Sequence, residues 1–189
     1  MSNTNKTDAN HSNTALSIGH VVAAYARDCA TDHSSPDYLK LSSYMCWDSV
    51  IYCLYKAGVI DKIKFTKIYG RRLNEDPSDL VDANDTLISS TQEMWEVAQG
   101  NILGFFSNNN GKSQLIHAML ATGSGCAAGN KNGCIGIGAP VGWEILDLAN
   151  KLRWKPESKS FNMVPNSAVG ETLIQLRYRT LDKFCQNLK

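Results

Sequence analysis

The segment Cys46 to Gly58, Cys-Trp-Asp-Ser-Val-Ile-Tyr-Cys-Leu-Tyr-Lys-Ala-Gly, constrains this chain more than any other. Asp48, Ser49 and Lys56 interrupt an otherwise apolar run, so a helix here presents little surface that water would favour. Such a helix must be covered on most sides, and the rest of the chain has to supply the cover. Ser42 and Ser43 offer an N-cap, Asp48 falls in the first turn near the positive end of the dipole, and Gly58 is a natural stop. Val50, Cys53, Leu54 and Ala57 then share one face, flanked by Trp47, Ile51 and Tyr55.

The cover is predicted downstream. Ile102 to Phe106 and Gln114 to Thr122 are apolar runs of strand length. Between them Ser107-Asn-Asn-Asn-Gly-Lys112 is a turn, because Asn and Gly tolerate positive φ, and the three parts make an antiparallel hairpin. A Gly/Ala/Asn turn leads to a third strand over Cys134 to Gly138, and Pro140-Val141-Gly142 introduces a helix from Trp143 to Leu152. Upstream, Thr14 to Ala30 has helical spacing and ends at Ser34-Ser35-Pro36, since proline cannot join the ladder. Residues 61–85 read as loop with some helix, including the turn Asn74-Glu75-Asp76-Pro77. Ser90 caps a helix to Ala98, which Gly100-Asn101 breaks. Residues 174–188 fit a strand running into a short helix, although Ile174, Tyr178, Leu181 and Leu188 would also lie on one helical face. Helices first and an antiparallel sheet after give an α+β domain over residues 14–189. The polar stretch 1–13 is expected to be a disordered tail.

Composition excludes several classes. A formal net charge of +1 in 189 residues argues against binding nucleic acid by counterion release. No run approaches the ~20 apolar residues of a membrane span, and the N-terminus lacks the apolar core of a signal peptide. The six cysteines contain no CxxC pair, which disfavours zinc. They read as reduced thiols made in the cytoplasm, with Cys126 and Cys134 able to bridge only after export. Gly136-Ile137-Gly138 lacks the Lys-Ser/Thr of a phosphate loop. The basic run Lys56 to Arg72 and the acidic run Glu75 to Asp85 read as solvated loop surface, with a substrate- or partner-facing rim as the alternative.

Two residues carry candidate chemistry. Cys46 opens the helix, where unpaired amides favour a thiolate. His117 interrupts an apolar strand, on which alternation sets Leu115, His117 and Met119 on one face. An imidazole beside the Cys46 thiol would lower its pKa further and give an ion pair able to attack an acyl carbon. The plain alternative is a core thiol and a satisfied core histidine. A third group must orient the imidazole: Asn132 first, then Asn130, then Asp147. The Cys46 amide, with Tyr44 or Ser43, is the candidate oxyanion donor. His11, His20 and His33 need only solvated or packing roles.

Together these pieces resemble the papain-like superfamily, and within it NlpC-type cell-wall peptidases and related bacterial effector hydrolases. The likeness rests on Cys46-Trp47-Asp48-Ser49-Val50 through Ala57-Gly58-Val59, on Gly100-Asn101-Ile102-Leu103-Gly104-Phe105, and on the His117 strand that follows. Asn101 stands where the family carries an acidic residue, the glycine expected soon after histidine comes only at Gly123, and residues 61–99 exceed a minimal core. The resemblance implies a nucleophile helix packed on a small antiparallel sheet. It also implies a Cys46–His117–Asn132 centre that cleaves an amide of a peptide or of peptidoglycan, without metal or cofactor. It further implies a bacterial effector or toxin exported without a signal peptide, with a host target or cognate inhibitor as partner. A deamidase or acyl transferase would use the same residues. The competing expectation is a non-catalytic binding protein on the same scaffold, with Trp47, Trp95, Trp143 and Trp154 as core or interface anchors.

Overall fold

A computed structural model describes residues 7–71, 79–109, 112–163 and 173–188. In chain order the elements are α1 (Thr7–Thr31), α2 (Pro36–Ser43), α3 (Cys46–Lys56), α4 (Lys62–Arg71), β1 (Thr86–Leu87), α5 (Thr91–Glu96), β2 (Ile102–Asn109), β3 (Lys112–Gly123) and β4 (Cys126–Asn130). There follow β5 (Trp143–Asp147), α6 (Leu148–Lys151), β6 (Leu152–Lys155), β7 (Ser160–Met163), β8 (Leu173–Arg179) and α7 (Leu181–Asn187). The fold is α+β. Its curled antiparallel sheet runs β5-β4-β3-β2-β8-β7-β6, and β1 pairs with β8 beyond the reach of β7.

The apolar helix is buried as its composition demands: Val50, Ile51, Cys53 and Leu54 are all fully covered. It packs on β3 and β4 and is flanked by α1, α2 and α4. Alternation along the strands divides the core into two layers. Leu41, Ile51, Leu54, Ile102, Leu120 and Trp143 fill the layer on the α3 side. Leu103, Phe105, Met119, Leu146, Phe161 and Leu176 fill the other. Gly58, at φ +77° just past the C-cap Ala57, ends α3 in the left-handed region that glycine favours.

Several expectations hold. Strands β2 and β3 pair as a hairpin, longer than the apolar runs alone suggest. The tip residues 110–111 lie outside the described residues. Ser90 caps α5 by accepting from the Glu93 amide at 2.9 Å, while Glu93 accepts in return from the Ser89 amide. The C-terminal stretch is strand then helix. Trp143 is buried and donates from Nε1 to the Ala26 carbonyl at 2.8 Å.

Others are corrected. Ser42 and Ser43 do not cap α3; they close the separate helix α2, and the N-cap of α3 is Met45, which makes no side-chain cap bond. The third strand is not Cys134 to Gly138 but β4, and residues 132–135 form a 3₁₀ turn. Trp143 to Leu152 is not one helix: β5 pairs with β4, and only Leu148–Lys151 is helical. Pairing supplied by neighbours on the sheet overrides weak local preference in these short segments. α1 begins at Thr7, inside the stretch read as a tail, while residues 1–6 lie outside the described residues. So do Arg72 and the 74–77 turn. Asp85 is not solvated loop surface but nearly fully buried.

Candidate functional site

His117 reaches its position through a bulge. Phe105 faces His117 across the hairpin and Phe106 faces Leu115, so Ile116 is an extra residue on β3. The insertion turns Leu115 into the layer of Ala118 and Leu120, whereas Ile116 packs with Met119. The expected shared face of Leu115, His117 and Met119 therefore breaks at Leu115. His117 is fully buried, edge-on to Phe105 with ring centroids 5.5 Å apart.

Asn132 orients it. Its Nδ2 donates to the Gly129 carbonyl at 3.1 Å and to Glu144 Oε1 at 3.0 Å, both of them acceptors only. That fixes the amide so that Oδ1 faces His117 Nε2 at 2.8 Å. An amide oxygen only accepts, so Nε2 carries the hydrogen and Nδ1 presents a lone pair. Glu144 Oε1 also accepts from the Ala139 amide at 2.6 Å, which ties the 3₁₀ turn to β5.

The atom facing that lone pair is the sulfur of Cys134, 3.5 Å from Nδ1, so its S–H donates to the imidazole. Cys134 is an exposed residue whose sulfur turns inward. Cys46 is only 2% exposed. Its sulfur lies against the backbone amide of Ala118, the residue after His117, and against the Trp47 and Cys46 amides at the head of α3. It also lies within electrostatic reach of Cys134. His117, Asn132 and Cys134 are thus joined by hydrogen bonds, and Cys46 adjoins them through the backbone of β3.

Burial reverses the expected charges. Loss of solvent pushes the Cys46 thiol up to about 11, against the opposing pull of the three amides. Loss of solvent also holds His117 down to about 4, although the Asn132 bond favours its charged form. Cys134 is raised by the same cause. Near pH 7 the site therefore holds neutral thiols and a neutral imidazole, not the ion pair that the sequence suggests.

The other candidates have other work. Asn130 Nδ2 donates to the Ser42 and Tyr44 carbonyls at 2.8 and 2.7 Å, and its Oδ1 accepts from Gly142 at 3.0 Å. With Ser42 Oγ accepting from the Trp143 amide at 3.0 Å, this clamps the turn that leads into Cys46. Asp147 caps α6 through the Asn150 amide and does not meet His117. Ser43 donates its hydroxyl to the Lys40 carbonyl, and the Tyr44 ring packs between Tyr52 and Tyr69. The groups at the Cys46 sulfur are instead the Cys46 and Trp47 amides at the head of α3. His20 meets Gln99 and His33 stacks on Tyr38, the packing roles expected of them. Cys126 donates to the Ser124 carbonyl, so it and Cys134 are separate free thiols. Sequence reasoning missed Cys134 and Glu144; the only signal was a second cysteine two residues beyond Asn132. No group of three or more His, Cys, Asp and Glu suited to a metal occurs among the described residues. No described helix is long and apolar enough to cross a membrane.

The low His117 value has a thermodynamic consequence. Between pH 6.5 and about 4 the unfolded chain binds a proton at this imidazole that the folded chain does not. Its contribution to stability is complete above pH 6.5 and is lost as pH falls toward 4, a loss of about 3 kcal/mol. Urea midpoints at pH 7 and pH 4.5 should therefore diverge more in the wild type than in His117→Gln. Equal shifts in both proteins would refute a neutral buried imidazole.

No family model, no curated protein and no solved structure matches this chain.

Proposed function

We propose that the protein is a cysteine hydrolase that cleaves an amide bond in a peptide or in peptidoglycan, with the papain-like arrangement that the sequence resembles. Cys46 is the nucleophile, His117 the base and then the acid, and Asn132 the orienting group. One observation carries the reading: an imidazole with Nε2 fixed on Asn132 and its Nδ1 lone pair turned to the Cys134 sulfur, with the Cys46 sulfur next to it against the Ala118 amide. From the neutral state the base acts during attack. The Cys46 proton passes to Nδ1 as sulfur adds to the acyl carbon, the amides heading α3 stabilise the oxyanion, and the imidazolium protonates the leaving amine. Water then enters by the same base and releases the acid. The wider reading, also a proposal, is a bacterial effector or toxin exported without a signal peptide, acting on a host protein or wall and held by a cognate inhibitor.

The test is alkylation of Cys46 by iodoacetamide across pH, resolved by mass spectrometry from the other thiols, in wild type and His117→Ala. The expected profile inflects above the ordinary thiol range, and its neutral-pH rate falls at least about tenfold without His117. A Cys46 rate indifferent to His117 would sink the nucleophile assignment. The non-catalytic alternative draws support from the near-complete burial of Cys46, and from Leu39, Ile63 and Tyr69 standing exposed on the helices around α3. Under that reading, substitutions at Ile63 and Tyr69 abolish partner binding and Cys46→Ala is silent.

A further inference from the structure

Cys134 has the attributes usually sought in a nucleophile, although its only mark in the sequence is its place two residues beyond Asn132. Its sulfur is the thiol on His117 Nδ1, at 3.5 Å. The same imidazole is held on its far side by Asn132 at 2.8 Å, and Asn132 in turn by Glu144 at 3.0 Å. The relay thiol–imidazole–amide–carboxylate is therefore complete without Cys46. Cys134 also belongs to a 3₁₀ turn at the surface and is exposed, where Cys46 is 2% exposed. The turn is pinned: Lys131 before it is left-handed at φ +58°, Gly136 after it at φ +77°, and the Gly133 amide donates to the Ala139 carbonyl at 2.7 Å. A partly buried thiol on a pinned surface turn, already donating to a base of fixed tautomer, is set for reaction with a small substrate reaching it past that turn.

We propose that Cys134 is a second nucleophile of this site, served by the same His117 base and open to small activated acyl substrates such as aryl esters. The proposal rests on the reading of His117 as a base. In the step, the Cys134 S–H proton moves to Nδ1 while sulfur bonds to the acyl carbon and the carbonyl electrons shift to oxygen. Collapse of that adduct breaks the bond to the aryloxide, which leaves with the proton returned from Nδ1. Water deprotonated by Nδ1 then adds to the thioester, releasing the acid and restoring the thiol.

The experiment treats the full-length chain with p-nitrophenyl acetate, follows p-nitrophenol release, and locates the acetyl thioester among the cysteines by peptide mass spectrometry. Wild type, Cys46→Ala, Cys134→Ser and His117→Gln are compared. Cys134 is expected to acquire the acetyl group about a hundredfold faster than the half-buried Cys126. That excess should persist in Cys46→Ala and vanish in His117→Gln. Should the buried histidine variant fail to fold, Cys134→Ser made in the Cys46→Ala chain still decides the matter, because it must remove the burst of p-nitrophenol that Cys46→Ala alone retains. A Cys134 labelled no faster than Cys126, or a burst unchanged when Cys134→Ser is added to Cys46→Ala, overturns the proposal. The two assignments fail separately. Amide turnover that needs Cys46, with an inert Cys134, leaves the hydrolase reading standing and this one fallen. A His117-dependent Cys134 beside a Cys46 indifferent to His117 upholds this one and removes Cys46 as nucleophile.

Discussion

Under the proposed mechanism, removing His117 should cost far more turnover than removing Asn132, which orients it. On a panel of synthetic peptides and peptidoglycan stem fragments, His117→Ala is expected to lower kcat by about 10²–10⁴-fold with little change in KM, because the imidazole acts on a proton in flight. Asn132→Ala should lose less. The Glu144 carboxylate remains, but the imidazole is then free to flip or to exchange tautomers, and its pH profile should broaden. Cys46→Ala should fall to background for amides. Product mass separates the chemistries: a cleaved chain marks a hydrolase, conversion of Gln to Glu a deamidase, and a new isopeptide bond an acyl transferase. If His117→Ala turns over every amide as fast as wild type, the base assignment is wrong.

The second large effect lies away from this site. Arg179, at the end of β8, donates from Nε to Asp85 Oδ2 at 2.9 Å, from Nη2 to Asp82 at 2.9 Å, and from Nη1 to the Asp79 carbonyl at 2.6 Å. The Arg179 and Asp85 side chains are 2% and 1% exposed. Lys183 of α7 adds a bond to Asp85 Oδ1 at 2.6 Å, and the Asp82 amide donates to Asp85 Oδ2 at 2.8 Å. Arg179→Ala leaves the Asp85 carboxylate out of water with the Asp82 amide and one half-exposed lysine beside it, a loss of about 3–5 kcal/mol. The urea midpoint should drop accordingly with m unchanged. The conservative Arg179→Lys should recover only part, since an ammonium cannot span three separate acceptors. A loss below about 1 kcal/mol would show that water enters and screens the cluster.

What could be read in the sequence follows from where local signals are strong. The α3 helix was legible because a long apolar run has one solution, and the hairpin because Asn-Asn-Asn-Gly sits between two apolar runs. Asn132 was legible as the partner of His117 by its place after the histidine strand. β4 was not, since Cys126-Ala-Ala-Gly-Asn130 has little intrinsic strand preference and is extended because β3 and β5 pair with it on either side. Trp143 to Asp147 is too short for its period to distinguish helix from strand. That ambiguity hid Glu144, which looked like a helix residue remote from His117. The Ile116 bulge was invisible as well, because one extra residue leaves composition untouched while rotating every side chain before it. The acidic run misled in a similar way. Asp85 looks like its neighbours in sequence, and only the return of β8 alongside it supplies the cation that permits its burial.

The clamp on Asn130 has a bearing on when the start of α3 becomes fixed. It joins the Ser42 and Tyr44 carbonyls across 88 and 86 residues, and the Trp143 amide reaches Ser42 across 101. Contacts so distant along the chain form late, since the entropy of closing such loops opposes them until most of the sheet has docked. A growing polypeptide therefore leaves the turn before Cys46 unclamped until the segment through Trp143 has been made and folded back. Timing is built into topology: the turn that leads into Cys46 is set only once the chain through Trp143 exists, never on a half-made one.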